Sequence, residues 1–177
     1  MLFKTIFAGF GGQGVLSMGL NLAQAALIDG KNVTYLPAYG AEVRGGTANC
    51  TVSISDEEIA SPVASSPEFL VAMNQPSLVR FQNQVQSGGL FFINTSFTTL
   101  SISRGDIDVV EVPANKIAKD LGNERSANMV MLGAFIKKSN LVTFDSLAQG
   151  LEQTLKKKKK LFEINQKALS AGYALLQ

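Results

Sequence analysis

The chain has 177 residues, 46% of them hydrophobic, with a formal net charge of +2 and a pI near 8.7. That is enough apolar sequence to bury a core, and so mild a charge gives no argument for nucleic acid or an acidic surface as partner. There is no histidine and one cysteine, Cys50, which removes the commonest general base and metal ligand and excludes an internal disulfide or an iron–sulfur cluster held by this chain alone.

The N-terminus reads as a strand rather than a signal peptide, and no apolar run reaches the ~18 residues of a membrane span. The expectation is one cytoplasmic α/β domain over residues 1–177, with no membrane and no nucleic-acid partner. Thr5–Ala8 is an apolar strand that leads into Gly9-Phe10-Gly11-Gly12-Gln13-Gly14-Val15, and a helical stretch runs from Leu16 to Ile28. Clustered glycines let backbone approach a ligand, and the first free N–H groups of the helix point at it, which suits an anion.

Gly9, Gly11 and Gly14 also satisfy G-x-G-x-x-G, a dinucleotide-binding spacing that requires an acid at the end of the second strand. That strand, Asn32–Leu36, is followed by Pro37 and Ala38, while Asp29 precedes it and Glu42 lies beyond it. The fingerprint is incomplete, and a tight turn without a ligand is the plain alternative. Next comes Tyr39-Gly40-Ala41-Glu42-Val43-Arg44-Gly45-Gly46-Thr47, an aromatic, both charges and three glycines at a strand's C-terminal end. Ligands collect at such ends in open α/β sheets. Arg44 offers a fork for phosphate or carboxylate; a surface pair with Glu42 explains it equally well.

In Thr47–Ser55, Ala48, Cys50, Val52 and Ile54 alternate with polar residues. A period of two predicts an antiparallel or edge strand with one polar face, and puts Cys50 in the core. Phe69–Met73, Leu90–Asn94 and Val109–Val112 read as strands buried on both faces. Between them, a helix starts at Asn74-Gln75-Pro76 and ends at Gly88-Gly89, and Asn115–Leu121 stops at Gly122. Helical spacing continues in Met129, Leu132 and Ile136, in Phe144, Leu147, Leu151 and Leu155, and in Leu161, Ile164, Ala168 and Leu169. The predicted fold is a three-layer α/β/α arrangement around a mixed, mostly parallel sheet.

Lys156–Lys160 are five consecutive lysines. They read as a solvated helix end, where cations offset the terminal partial charge; no aromatic residues interleave to stack on bases. Ser17, Ser96, Thr98 and Thr99 have no evident activator, and the acids show no metal-ligand spacing, so a self-contained hydrolase or metalloenzyme is not expected.

Taken together, Gly9–Val15, Tyr39–Cys50 and Met73-Asn74-Gln75-Pro76 resemble the gamma subunit of 2-oxoacid:ferredoxin oxidoreductases over nearly the whole chain. Arg44-Gly45-Gly46-Thr47-Ala48-Asn49 is similar to the 2-oxoglutarate or branched-chain type, where the pyruvate type more often reads Arg-Gly-Ala-Pro. Ala41 stands where the family commonly has proline. The resemblance implies a non-catalytic subunit, inactive alone, of a complex that decarboxylates a 2-oxoacid (2-oxoglutarate is the expectation), transfers the acyl group to coenzyme A and reduces ferredoxin. It implies alpha, beta and delta partner subunits, with thiamine diphosphate, magnesium and iron–sulfur clusters held outside this chain. The residues expected at the subunit interface and the coenzyme A end are Gly9, Gly11, Gly12, Gln13 and Gly14 with Tyr39, Gly40, Glu42, Arg44, Gly45, Gly46, Thr47 and Asn49. The alternative is a free-standing dinucleotide-binding protein.

Overall fold

In the computed structural model, which describes residues 1–40 and 46–176, six strands form one sheet. These are β1 (Leu2–Phe10), β2 (Asn32–Tyr39), β3 (Thr47–Ser55), β4 (Phe69–Ala72), β5 (Leu90–Asn94) and β6 (Asp108–Val112) in the order β2-β3-β1-β4-β5-β6. β1, β4, β5 and β6 run parallel, and β3 is antiparallel to both β1 and β2. The short apolar runs explain the parallel half: every residue of β4 is buried, as a strand covered on both faces must be.

One face of the sheet shares its core with α1 (Val15–Ile28), α3 (Ala114–Asp120), α4 (Ala127–Ser139), α5 (Phe144–Leu155) and α6 (Lys159–Leu175). The other face is thinner. It is covered by α2 (Gln75–Phe81) and by irregular chain carrying Ala64, Ile102 and Ile107. α4 is buried from Ala127 to Ile136 because it lies between the sheet and α6. Its Phe135 ring meets Phe7, Phe69 and Phe92 of three strands at centroid distances of 5.4, 5.7 and 5.2 Å. α6 approaches α4 so closely that a Cβ at Gly133 would collide with the Leu169 carbonyl, and one at Gly172 with that of Val130.

Three expectations are corrected. The helix begun at Asn74 ends at Phe81, short of Gly88-Gly89. After it the Gln84 amide bonds the Phe81 carbonyl at 2.9 Å and the Gln86 amide leaves for Pro67 at 3.1 Å, so the chain is drawn toward β4. β2 continues through Pro37 to Tyr39 rather than stopping at Leu36, which an edge strand permits, because its outer side needs no N–H from proline. β3 is antiparallel as expected but interior, not an edge, and its polar side is covered: Thr51, Ser53 and Ser55 are all buried. Lys4, directly opposite Ser53, donates its ammonium to the carbonyls of Ser61 and Val63, which holds the segment 57–67 beside that face.

Candidate functional site

β1, β4, β5 and β6 end at the same edge of the sheet. β4, β5 and β6 lie to one side of β1 and the antiparallel pair β3 and β2 to the other. A crevice forms where strand order diverges in this way. Here it is a cleft of about 620 Å³ lined by Phe10, Gly11, Gly12, Gln13, Met73, Asn74, Pro76, Phe97, Asn115, Glu124, Arg125 and Ala127.

Side-chain amides fix the shape of its floor. Gln13 accepts from the Phe10 amide at 2.8 Å and from Asn74 Nδ2 at 2.7 Å, and donates to the Met73 carbonyl at 3.3 Å. Asn74 caps α2 by accepting from the Ser77 amide at 2.9 Å, and Pro76 in the first turn costs no intrahelical bond. Asn94 is fully buried at the end of β5. Its Nδ2 donates to Met73 O at 3.1 Å and Asn115 Oδ1 at 2.9 Å, while its Oδ1 accepts from the Ser96 and Ala114 amides at 3.3 and 3.2 Å. All four hydrogen-bonding positions of that amide are therefore used. The ladder ties four strand ends together, so the cleft exists before any ligand arrives.

The glycines do two jobs. Gly12 and Gly14 take φ values of 96° and 73°, which glycine adopts without penalty. Gly14 is the N-cap of α1, where no side chain bonds the first-turn amides, and a Cβ there would collide with the Asn128 side chain. Asn128 donates to the Gly14 carbonyl at 3.3 Å. Bare amides at the start of a 14-residue helix favour an anion. Arg125, exposed on a short 3-10 turn (Glu124–Ser126), supplies the one cation in the described cleft lining. No ion pair engages it among the described residues.

The described lining contains no hydroxyl, thiol or amine nucleophile, and no group of three metal-ligating side chains occurs among the described residues. Cys50 is buried against Val15 and Gly19, and burial pushes its thiol up to about 12. Burial likewise raises Tyr35 to about 12, and its hydroxyl donates to the Leu16 carbonyl at 3.2 Å.

Of the residues singled out in the sequence, Gly11, Gly12 and Gln13 line the cleft and Gly14 caps the adjoining helix. Gly9 sits behind them within β1, where a Cβ would be 2.8 Å from both Gln13 and Val15. The second loop is tethered to the first: Gly11 N donates to Gly46 O at 2.9 Å, and Gly40 N to Thr47 O at 2.7 Å. Tyr39, Gly40, Gly46, Thr47 and Asn49 do not line the described cleft; Tyr39 is exposed at the end of β2, and Asn49 lies between Ala8 and Ala38. Glu42, Arg44 and Gly45 lie outside the described residues. Sequence reasoning missed Asn94, Asn115, Phe97 and Arg125. An asparagine closing the apolar run Leu90-Phe91-Phe92-Ile93 was the available signal for the first; a lone arginine in a 3-10 turn gives none. The dinucleotide reading loses its geometry as well as its acid, because β3 separates the second strand from β1.

Comparison with known proteins agrees with this architecture. The family model described as pyruvate ferredoxin/flavodoxin oxidoreductase matches residues 4–175. Ketoisovalerate oxidoreductase subunit VorA of Methanothermobacter thermautotrophicus is 46% identical over 167 residues, covering 93% of this chain and 34% of that protein. The chain thus spans about a third of that relative's length. 2-Oxoglutarate synthase subunit KorC of Methanocaldococcus jannaschii is 32% identical over 169 residues, covering 94% of this chain and 89% of that one. Among solved structures, the gamma subunit of a keto/oxoacid ferredoxin oxidoreductase from Geobacter sulfurreducens superposes with a TM-score of 0.84 at 27% identity, covering 97% and 96% of the two chains. The 2-oxoglutarate:ferredoxin oxidoreductase of Magnetococcus marinus, with 2-oxoglutarate, coenzyme A and succinyl-CoA bound, gives 0.90 at 25% identity over 98% of this chain and 31% of that one. This chain belongs to the pyruvate ferredoxin/flavodoxin oxidoreductase family.

Proposed function

From that membership we propose that the chain is the gamma part of a 2-oxoacid:ferredoxin oxidoreductase and that its strand-end cleft receives the coenzyme A end of the reaction. The observation that carries this reading is a strand-end cleft with Arg125 in its lining, adjoining the α1 N-terminus whose first-turn amides no side chain caps. A phosphate of coenzyme A meets Arg125 and those amides, and Met73 and Phe97 offer apolar surface to the rest of the ligand. Coenzyme A supplies the thiol that takes up the acyl group; this chain's own residues bind and orient it. The loops at 9–15 and 39–49, joined through Gly11 and Gly46, contribute to the interface with alpha and beta subunits.

Thiamine diphosphate, magnesium and iron–sulfur clusters belong to the rest of the complex, with ferredoxin as electron acceptor. The donor set here does not suit a cluster: the single thiol is buried, and histidine is absent from the sequence. Among the described residues no helix is long and apolar enough to cross a membrane, in keeping with a cytoplasmic enzyme.

Arg44–Asn49 is similar to the 2-oxoglutarate or branched-chain type, and 2-oxoglutarate is the substrate expected. A second reading, 2-oxoisovalerate, is favoured by the 46% identity to the ketoisovalerate relative against 32% to the 2-oxoglutarate one. The test is to recover the native complex on a tagged copy of this chain and assay it with coenzyme A and each of 2-oxoglutarate, 2-oxoisovalerate and pyruvate. Oxoacid-dependent, coenzyme A-dependent reduction of ferredoxin is the expected outcome. Recovery of the chain without any thiamine-binding partner would refute the proposal.

A further inference from the structure

Phe97 lines the strand-end cleft and is 50% exposed. A single exposed aromatic residue is ordinary, but this one sits on a backbone held at both sides. Its amide donates to the Asn94 carbonyl at 3.2 Å. Further on, the Thr99 amide and hydroxyl donate to Gln75 Oε1 at 3.2 and 2.9 Å. The segment carrying the ring is thereby tied to the end of β5 and to the start of α2. The ring is a fixed flat surface, open to a planar partner.

Asn115 is fastened to the same turn. The neighbouring Lys116 amide donates to Ser96 Oγ at 3.2 Å, and Asn115 Oδ1 accepts from Asn94 Nδ2 at 2.9 Å. Asn94 cannot turn over, because its own oxygen already serves the Ser96 and Ala114 amides. That fixes which way round the Asn115 amide faces: oxygen toward Asn94, with the NH2 group left over. No acceptor engages Asn115 Nδ2 among the described residues. The side chain is only partly buried, lines the cleft, and its nitrogen is not closed off from solvent. A ligand can therefore reach it.

The amide shows the cleft two N–H donors beside an oxygen with one lone pair unused. Such an edge pairs with adenine, Nδ2 donating to N7 and Oδ1 accepting from the N6 amino group. The one cation of the described lining, Arg125, belongs to another element, so this side of the cleft suits an uncharged group. We propose that Phe97 and Asn115 are the adenine seat of the cleft, the base stacking on Phe97 while Asn115 reads its N6 and N7 edge. This rests on the coenzyme A reading of the cleft and names the part of the ligand that lies between β5 and α3. The phosphates are left to Arg125 and the α1 amides. Guanine presents two acceptors on the same edge, and the locked amide cannot turn to suit it.

The test is inhibition of the assembled complex, competitive with coenzyme A, by adenosine 3′,5′-bisphosphate and by its 7-deaza analogue, which lacks N7. The native complex should hold the adenosine compound about tenfold more tightly or better. Asn115→Asp keeps an oxygen for Asn94 Nδ2 and removes the donor to N7, so the preference should vanish. The two inhibitors carry the same charge, and the effect of the added carboxylate cancels in their ratio. Phe97→Leu should weaken both by about tenfold or more and leave the ratio as it was. Equal affinities in the native complex, a preference that survives Asn115→Asp, or affinities unchanged in Phe97→Leu would overturn the adenine seat. If Arg125→Ala still weakened coenzyme A, the cleft would remain its site and only the seat would fall. If all three variants left coenzyme A and both inhibitors unaffected, the cleft reading would fall with it.

Discussion

Arg125 is the described residue whose charge is best placed for a ligand and least used by the fold. Arg125→Ala in an assembled complex should remove a charge-assisted bond of roughly 1.5–3 kcal/mol, raising the Michaelis constant for coenzyme A by about one to two powers of ten. The constant for the oxoacid should stay put. Arg44→Ala is the companion variant, since Arg44 is the cation to which the sequence pointed; an effect at one arginine and not the other identifies the phosphate ligand. Gly14→Val combines a φ of 73° with a collision against Asn128 and should lower the thermal midpoint as well as coenzyme A affinity. Cys50 should resist thiol reagents at neutral pH, because burial holds its thiol up to about 12 and only thiolate reacts. The same shift has a stability consequence. In the unfolded chain the thiol ionises near its ordinary value of 9.0, so above about that pH the unfolded state loses its proton first and stability falls as pH rises. Urea midpoints at pH 8 and pH 10 measure that fall, and Cys50→Ala should flatten it.

At the scale of elements, periodicity was a good guide where burial is simple. The alternation in Thr47–Ser55 gave an antiparallel strand, and the apolar runs gave β4, β5 and β6 nearly to the residue. It was a poor guide where tertiary contacts decide. Nothing local says that Ser53 is covered by the 57–67 segment, that Gln86 turns away to Pro67, or that the lysines straddle two helices rather than end one. The amide ladder was half legible: Asn74 announces itself through Asn-Gln-Pro, whereas the bonds from Asn94 to Met73 and Asn115 join residues 21 apart in sequence. The α4–α6 contact carries its own test. Gly172→Ala would drive a methyl group into the Val130 carbonyl, and separating two helices packed backbone to backbone should cost about 1–3 kcal/mol. Ala171→Gly, one position along the same helix, should cost only the ~1 kcal/mol of helix propensity. Equal losses in the two variants, measured by chemical denaturation, would mean that close approach is not what Gly172 serves.

For the whole molecule, the expectation of a division of labour comes from composition. No histidine and one cysteine leave little with which to do redox or acyl chemistry, and the glycine loops remain as binding equipment. The structure adds a cleft where the parallel strands meet the antiparallel pair, a ladder of side-chain amides across its floor, and α4 held between the sheet and α6. The chain alone should show no oxoacid oxidation and no cluster absorbance after anaerobic reconstitution. The most direct measurement is the coenzyme A-dependent rate of ferredoxin reduction by the partner subunits, assayed alone, with this chain added, and with its Arg125→Ala variant added. The expected result is activity restored by the native chain and, for the variant, restored only at coenzyme A concentrations about ten- to a hundredfold higher. Partner subunits fully active without the chain, or a variant indistinguishable from the native chain at every coenzyme A concentration, would contradict it.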